Sequence, residues 1–233
     1  MKHALHDVLV GGQRGSPAAD RLCRAALKLV GVDAAAISLV DDGESRGTFG
    51  ASDAGARLLD ALQFTAGEGP CLDTARTLVP VLVSDLRAQD ETRWPAFSDA
   101  AERSGVRGVF AFPVQVGRIA LGAIDLFRSV PGSLSGAQMT CALLIADAAA
   151  QILLDLIDER SGVAGRDDPL EQWAQVATLA RGDVYRATGM IMAQLDVTPA
   201  EGLVRLRAYA FSHELTAIEV AELVTSRRLR LEM

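Results

Sequence analysis

The sequence has little lysine, little cysteine and few aromatic residues, and each shortage narrows the function. Only two of the 23 basic residues are lysines, and the 233-residue chain has a net charge of −7. The chain as a whole therefore has no basic footprint typical of nucleic-acid-binding proteins. Three cysteines stand alone at Cys23, Cys71 and Cys141. Their odd number and the lack of a CxxC pair argue against a disulfide framework or a zinc cluster.

Long apolar runs are missing as well. No stretch reaches the roughly 18 uninterrupted apolar residues that a membrane span needs. The nearest one, residues 139–157, is interrupted by Asp147, Gln151 and Asp155. The apolar run near the N-terminus is too short for a signal peptide. We therefore expect a cytoplasmic protein without a membrane partner.

Motifs of catalysis and metal binding are also lacking. The sequence holds no Ser-His-Asp set, no GxGxxG after a strand and no GxxxxGK[ST]. The acidic pairs at 41–42 and 167–168 lie in turn-like composition. His3 and His6 have helical spacing but no third ligand nearby, so we predict no metal site. Cys71 is expected to be a small buried residue, with a redox or ligand-linking role as the alternative. These observations predict a binding protein rather than an enzyme.

The first part of the chain has the pattern of a mixed α and β domain. Gly117-Arg118 separates two apolar segments and favours a tight hairpin. Because the strands come mainly as hairpins, we predict an antiparallel sheet with helices packed against it, an α+β fold. Strands are predicted at 34–40, 47–51, 79–86, 106–116 and 119–128, and helices at 16–31, 52–64, 93–105 and 135–158.

The second part is predicted to be entirely helical. A polar segment with two glycines and a proline, residues 158–169, separates it from the first part. Apolar residues follow helical spacing over 169–195. Capping boxes begin two further helices at Thr198 and Thr216. Trp94 in the first part and Trp173 in the second are both expected to be buried.

Both parts resemble known families. The tail resembles the ANTAR domain, an RNA-binding module of antitermination regulators, and the front resembles a GAF domain, a PAS-like sensor. The resemblance divides the chain into a GAF-like domain at 1–160, a linker at 161–168 and a three-helix ANTAR-like domain at 169–233. In the tail it is carried by RAxGMIM (186–192), TPAE (198–201), RLRxxA (205–210) and VAxxV (220–224); in the front by GEGPC (67–71), RWPxF (93–97) and the block 105–128.

The paired resemblance implies a sensory regulator of transcription antitermination. Its GAF domain would take a small molecule or a partner's signal, and its tail, as a homodimer, would bind two stem-loops in a leader RNA. The sequence does not identify a cofactor or the ligand of the front domain. The implied RNA-binding residues are Arg186, Ala187, Thr188, Gly189, Arg205, Arg207 and His213. The expected ligand pocket lies between the sheet and its helices and is lined by Phe110, Phe112, Leu121 and Phe127.

Two departures from the ANTAR pattern leave an alternative open. Thr188 stands where the family often has lysine, and Gly202 where it usually has alanine. Residues 166–233 hold eight basic and ten acidic groups, a net charge of −2, although nucleic-acid affinity comes largely from neutralised phosphates. The alternative is a protein-interaction regulator whose tail has lost RNA binding. For the small residues at 187 and 189 the alternative is helix packing, and for the arginines it is surface ion pairing.

Overall fold

The computed structural model describes residues 14–41, 44–88, 91–164 and 181–232. Within these ranges the chain forms five strands and eight helices. The strands are β1 (Ala34–Asp41), β2 (Glu44–Ala51), β3 (Val81–Val83), β4 (Gly108–Val116) and β5 (Ile119–Arg128). The helices are α1 (Ser16–Ala26, continued by a π-helical turn at Leu27–Gly31), α2 (Ala54–Ala66), α3 (Pro70–Thr77), α4 (Pro95–Arg103), α5 (Gly136–Ala164), α6 (Gly182–Leu195), α7 (Pro199–Ser212) and α8 (Ala217–Thr225).

The five strands form one sheet in the order β2-β1-β5-β4-β3, and every neighbouring pair is antiparallel. The predicted antiparallel sheet and α+β class are therefore confirmed. The predicted turn at Gly117-Arg118 joins β4 to β5, where Val116 pairs with Ile119. Gly117 has a φ of 61°, a left-handed conformation that glycine adopts without strain.

Helices cover both faces of the sheet. On one face, α1 and α5 enclose an apolar core that includes Leu22, Ile37 and Ile145. On the other face, α2 and α4 pack over a second core that includes Trp94 and Phe97, and α3 adds a small cluster around Cys71. Trp94 is buried, as predicted.

The four residues predicted to line a ligand pocket are divided between these two faces. Phe110, Phe112 and Leu121 belong to the core under α1 and α5. Phe127 belongs to the opposite core, next to Trp94. This division follows from strand geometry, because successive side chains of a strand point to opposite faces of the sheet, so the four residues do not all face one pocket.

Helix α5 is longer than the sequence pattern indicates. It begins after a capping box between Ser135 and Gln138, as predicted, but continues to Ala164 and so enters the predicted linker at 161–168. Its segment 136–157 is long and apolar enough to cross a membrane, yet 56% of the segment is buried inside the fold, as in the core helix of a globular domain. The rest of the linker, the start of the predicted helix at 169–195, Trp173, His3 and His6 lie outside the described residues.

The tail is helical over its described length, as predicted. Helices α6, α7 and α8 enclose a core that includes Ile191, Leu206 and Val220. Both predicted capping boxes are formed: Thr198 caps α7 with Glu201, and Thr216 caps α8 with Glu219. The same core also contains Phe64, which comes from α2 in the first part of the chain.

Candidate functional site

A cluster of polar side chains is buried between the sheet and helices α2 and α3. It consists of Ser38 on β1, Asp60 and Gln63 on α2, Cys71 on α3 and Asp125 on β5, none more than 1% exposed. Asp60 and Gln63 are three residues apart and therefore lie on one side of α2. Since β1 and β5 are neighbours in the sheet, Ser38 and Asp125 reach the same helix. We call these five residues the polar cluster.

Asp60 is the best-partnered acid of the polar cluster. Its carboxylate accepts hydrogen bonds from the hydroxyls of Ser38 and Thr48. A guanidinium nitrogen of Arg181 lies 3.6 Å from it, and both side chains are almost completely buried. A buried carboxylate is costly unless it is paired and hydrogen-bonded, and these three partners offset that cost at Asp60.

Gln63 forms hydrogen bonds with both Asp125 and the backbone of Cys71. Its amide nitrogen donates to Asp125 Oδ2 at 2.5 Å, and its amide oxygen accepts from the backbone N–H of Cys71 at 2.9 Å. A Cβ at position 69 would overlap the Gln63 side chain, and Gly69 has a φ of 145°. The glycine of the GEGPC segment therefore makes room for the Gln63 contact.

One side-chain oxygen of Asp125 lacks a hydrogen-bond partner. This atom, Oδ1, accepts no hydrogen bond within the part of the chain that the structure describes. Burial and the negative charge of Asp60 raise the pKa of Asp125 to about 8, although the Gln63 hydrogen bond acts in the opposite direction. Burial, followed by the charges of Asp125 and Asp60, raises the pKa of the Cys71 thiol well above its usual value. Both shifts favour the protonated forms of Asp125 and Cys71 at neutral pH.

Three groups of the polar cluster could together hold a metal ion. One carboxylate oxygen of Asp60, one of Asp125 and Cys71 Sγ all lie within 4.8 Å of one another. This is the largest departure from the sequence analysis, which predicted no metal site and did not single out Asp60, Gln63 or Asp125. The available signal was a lone polar residue within an apolar segment: Asp60 and Gln63 in LLDALQF and Asp125 in GAIDLF.

Arg181 connects the polar cluster to the tail. Its guanidinium lies 3.7 Å from the ring centroid of Phe64, and that of Arg207 on α7 lies 4.3 Å from the same ring. Burial lowers the pKa of both arginines, which Asp60 counteracts at Arg181. At the same boundary Arg46 donates to the hydroxyl of Tyr185 at 2.8 Å. The ring of Phe64, in the first part of the chain, is thus in contact with two arginines of the tail.

The structure separates the residues predicted to bind RNA. Ala187 and Thr188 are buried in the packing of α6, and Arg207 is partly buried against Phe64. Ala187 and Thr188 therefore contribute little to the solvent-exposed side of α6. The remaining four are exposed: Arg186, which pairs with Asp183 at 3.3 Å, Gly189, Arg205, and His213, which stacks on Tyr209 with ring centroids 3.8 Å apart.

Phe127 lies beside a separate opening in the sensor part. This cleft has a volume of about 420 Å³ and is also lined by Leu59, Val106 and Arg128. The cleft lies on the same face of the sheet as the polar cluster. Of the four predicted pocket residues, Phe127 lines this cleft.

Comparison with known proteins identifies the sensor part. A model of the GAF domain family matches residues 18–154. A search of curated proteins finds no match. Among solved structures, a domain of a protein described as a two-component sensor histidine kinase from Sinorhizobium meliloti is similar to 64% of this chain and is covered over 96% of its own, with 15% identity and a TM-score of 0.51.

A second structure gives the same result. The GAF domain of a phosphoenolpyruvate-protein phosphotransferase from Coxiella burnetii is covered over 98% of its length by 68% of this chain, with 13% identity and a TM-score of 0.50. At these identities the likeness concerns the fold alone. The family match spans more than half of the chain and coincides with the sheet and the helices around it. The chain belongs to the GAF domain family.

Proposed function

We propose that this protein is a sensory regulator of transcription antitermination, in which the GAF domain controls RNA binding by the helical tail. The observation that carries the proposal is the contact of Arg181 and Arg207 with Phe64. Arg181 also pairs with Asp60 of the polar cluster. A change of charge or occupancy in the cluster therefore acts directly on the tail, as a regulator of this kind requires.

The RNA contacts are proposed from the exposed cations of the tail. Arg186 and Arg205 are exposed, as are three arginines that follow α8: Arg227, Arg228 and Arg230. Arg207 would add another phosphate contact once it leaves Phe64. Because each neutralised phosphate contributes to affinity, release of Arg207 would strengthen RNA binding by a tail whose net charge is negative.

Titration with a leader RNA carrying two adjacent stem-loops tests the proposal. Arg186→Ala and Arg205→Ala should each weaken binding by about 1–3 kcal/mol, with a salt dependence shallower by about one unit. Arg118→Ala, an exposed arginine in the β4–β5 turn, is the matched control and should bind as the unmodified protein does. Equal binding by all variants, or none by the intact protein, contradicts the RNA-binding function.

A second candidate function is regulation through a protein partner. Phe211 is 62% exposed and Val204 is 61% exposed, and they lie seven residues apart on one side of α7. An apolar pair of this kind on a helix is typical of a docking surface. Val204→Asp and Phe211→Asp, which leave the arginines intact, should disturb this function and spare RNA binding.

Self-association is part of the proposal, since the resemblance implies a homodimer. The predicted interface uses the helix at 139–158 and the helix at 169–195. Light scattering should give twice the chain mass of 24.6 kDa at micromolar concentration. A mass of one chain over that whole concentration range contradicts the dimer.

A further inference from the structure

We propose that Asp60, Cys71 and Asp125 bind one divalent transition-metal ion inside the GAF domain. Their three donor atoms lie within 4.8 Å of one another, on three different elements of the fold. Bonds from such an ion to sulfur and oxygen are about 2.0–2.3 Å long, so the donors of a four-coordinate ion lie about 3.3–3.8 Å apart. A pair of donors at the full 4.8 Å would therefore move together by about 1 Å to bind one ion.

An unpartnered buried oxygen points to a cation at this place. Asp125 Oδ1 accepts no hydrogen bond from any described residue, whereas Oδ2 of the same carboxylate is held by Gln63. Buried polar groups without a partner are rare and costly. A metal ion would satisfy this oxygen where the described protein groups do not.

The balance of charge supports the same conclusion. Asp60, Asp125 and a Cys71 thiolate carry three negative charges, and Arg181 supplies one positive charge from beside Asp60. A divalent ion brings the sum to zero. Metal binding would release the protons of Asp125 and Cys71, and the neutral sum allows all three donors to be ionised in a buried site.

The surroundings orient the donors as outer-shell groups do at metal sites. Gln63 holds Asp125 through its carboxylate and Cys71 through its backbone N–H. Ser38, Thr48 and Arg181 hold Asp60. Such outer-shell hydrogen bonds fix ligand orientation and affinity. Every donor residue of the proposed site is therefore positioned by a further contact.

The donor chemistry selects the class of metal. A thiolate together with two carboxylates suits Zn²⁺, Fe²⁺ or Co²⁺, whereas Mg²⁺ and Ca²⁺ prefer oxygen donors alone. Three protein donors leave at least one coordination position for water or a small molecule. Only the next step rests on the proposed function. A ligand at that position would act on the tail through Asp60 and Arg181.

Cobalt titration of the full-length protein tests the site. The protein is stripped with a chelator and titrated with Co²⁺ without oxygen, with RNA absent. We expect one Co²⁺ per chain and a thiolate-to-cobalt charge-transfer band in the near ultraviolet. Zn²⁺ should displace Co²⁺, and Mg²⁺ should not. Because no RNA is present, failure here is distinct from failure of the antitermination function.

Two cysteine variants and one aspartate variant complete the experiment. Cys71→Ala should abolish the band and weaken Co²⁺ binding at least about tenfold, as loss of even an outer-shell group does. Cys23→Ala is the matched control, since Cys23 is an equally buried lone thiol under α5, and it should keep the band. Asp125→Asn, almost identical in shape, should also weaken binding and decides the matter if Cys71→Ala does not fold. No stoichiometric binding, or the same band in Cys71→Ala, overturns the proposal.

Discussion

Single polar residues inside apolar segments define the candidate site, and they were hard to recognise in the sequence. Asp60 and Asp125 lie 65 positions apart in the chain, and only the packing of α2 and α3 against the sheet brings them together. The sequence has no CxxC pair, but this does not bear on a site made of two carboxylates and one thiolate, because the ligands of such a site have no fixed spacing along the chain. What the sequence offered was the GEGPC segment, whose Gly69 admits Gln63.

The first prediction at this scale concerns Gln63. Gln63→Leu removes the amide that joins Asp125 to the backbone of Cys71, so two buried groups lose their partner. The free energy of unfolding of the metal-free protein should fall by about 1–3 kcal/mol, measured by urea titration. Gln115→Leu is the control, because Gln115 Oε1 already has no partner within the described ranges, and its effect should stay under about 0.5 kcal/mol. Equal losses in the two variants would contradict the assigned role.

The second prediction concerns pH and Asp33. Hydrogen bonds from the backbone and hydroxyl of Ser129 lower the pKa of Asp33, and they join the start of β1 to the end of β5. For an acid with a lowered pKa, the stabilisation is complete above the unfolded-state pKa of 3.8 and is lost as the pH falls through the lowered pKa. Melting temperatures between pH about 6 and about 2 should therefore fall less in Asp33→Asn than in the unmodified protein. An identical fall in both would show that this carboxylate does not contribute.

At the scale of elements, most helices and strands could be predicted from periodicity and caps. The hairpin β4–β5, the capping boxes of α5, α7 and α8, and the apolar β1 all follow local patterns. Helix α3 was not predicted as an element, because its eight residues are too few to show a period. The end of α5 was predicted too early, since no glycine or proline stops the helix near 158 and the chain continues it through polar residues.

The two departures from the ANTAR pattern meet in one contact between elements. A Cβ at Gly202 on α7 would lie 3.2 Å from Thr188 Cγ2 and 3.3 Å from both the Thr188 carbonyl oxygen and Met192 Cγ on α6. The branched threonine therefore occupies part of the space that an alanine at 202 would need. Positions 188 and 202 are coupled through this contact, which the sequence could not show without the packing of the two helices.

A double-mutant cycle at this contact gives the third prediction. Gly202→Ala alone should gain little or destabilise the tail, although alanine is intrinsically the better helix former by about 1 kcal/mol. In the Thr188→Ser background, which removes Cγ2 and keeps the hydroxyl bonded to the Val184 carbonyl, the same change should be more favourable than in the unmodified protein, because one of the three tight contacts is gone. The coupling free energy should lie in the range of about 0.5–3 kcal/mol found for residues in contact. Additive effects would show that the contact is not tight.

At the scale of the whole molecule, the tail shares part of its core with the GAF domain. Phe64 lies in the tail core, and Thr65 beside it accepts a hydrogen bond from the backbone N–H of Ala217 at the start of α8. The resemblance predicted a GAF-like domain and a helical tail, but it gave no sign of this contact. The residues involved are more than 100 positions apart, and Phe64 has the pattern of an ordinary core residue of α2.

Phe64→Ala gives the last prediction, because it removes the ring on which Arg181 and Arg207 stack and leaves a cavity in the tail core. Such a truncation of a buried phenylalanine costs about 3–5 kcal/mol. The loss should fall on the tail: hydrogen exchange, followed by mass spectrometry, should speed up in α6, α7 and α8, while β1 and β5 keep most of their protection. Phe211→Ala is the matched control, since that ring is 62% exposed, and it should leave exchange unchanged.

The same Phe64→Ala variant also frees Arg207, so its affinity for the two-stem-loop RNA should rise if the tail stays folded. Exchange that speeds up equally in the sheet and in the tail would mean that Phe64 stabilises the whole fold rather than the contact between its two parts.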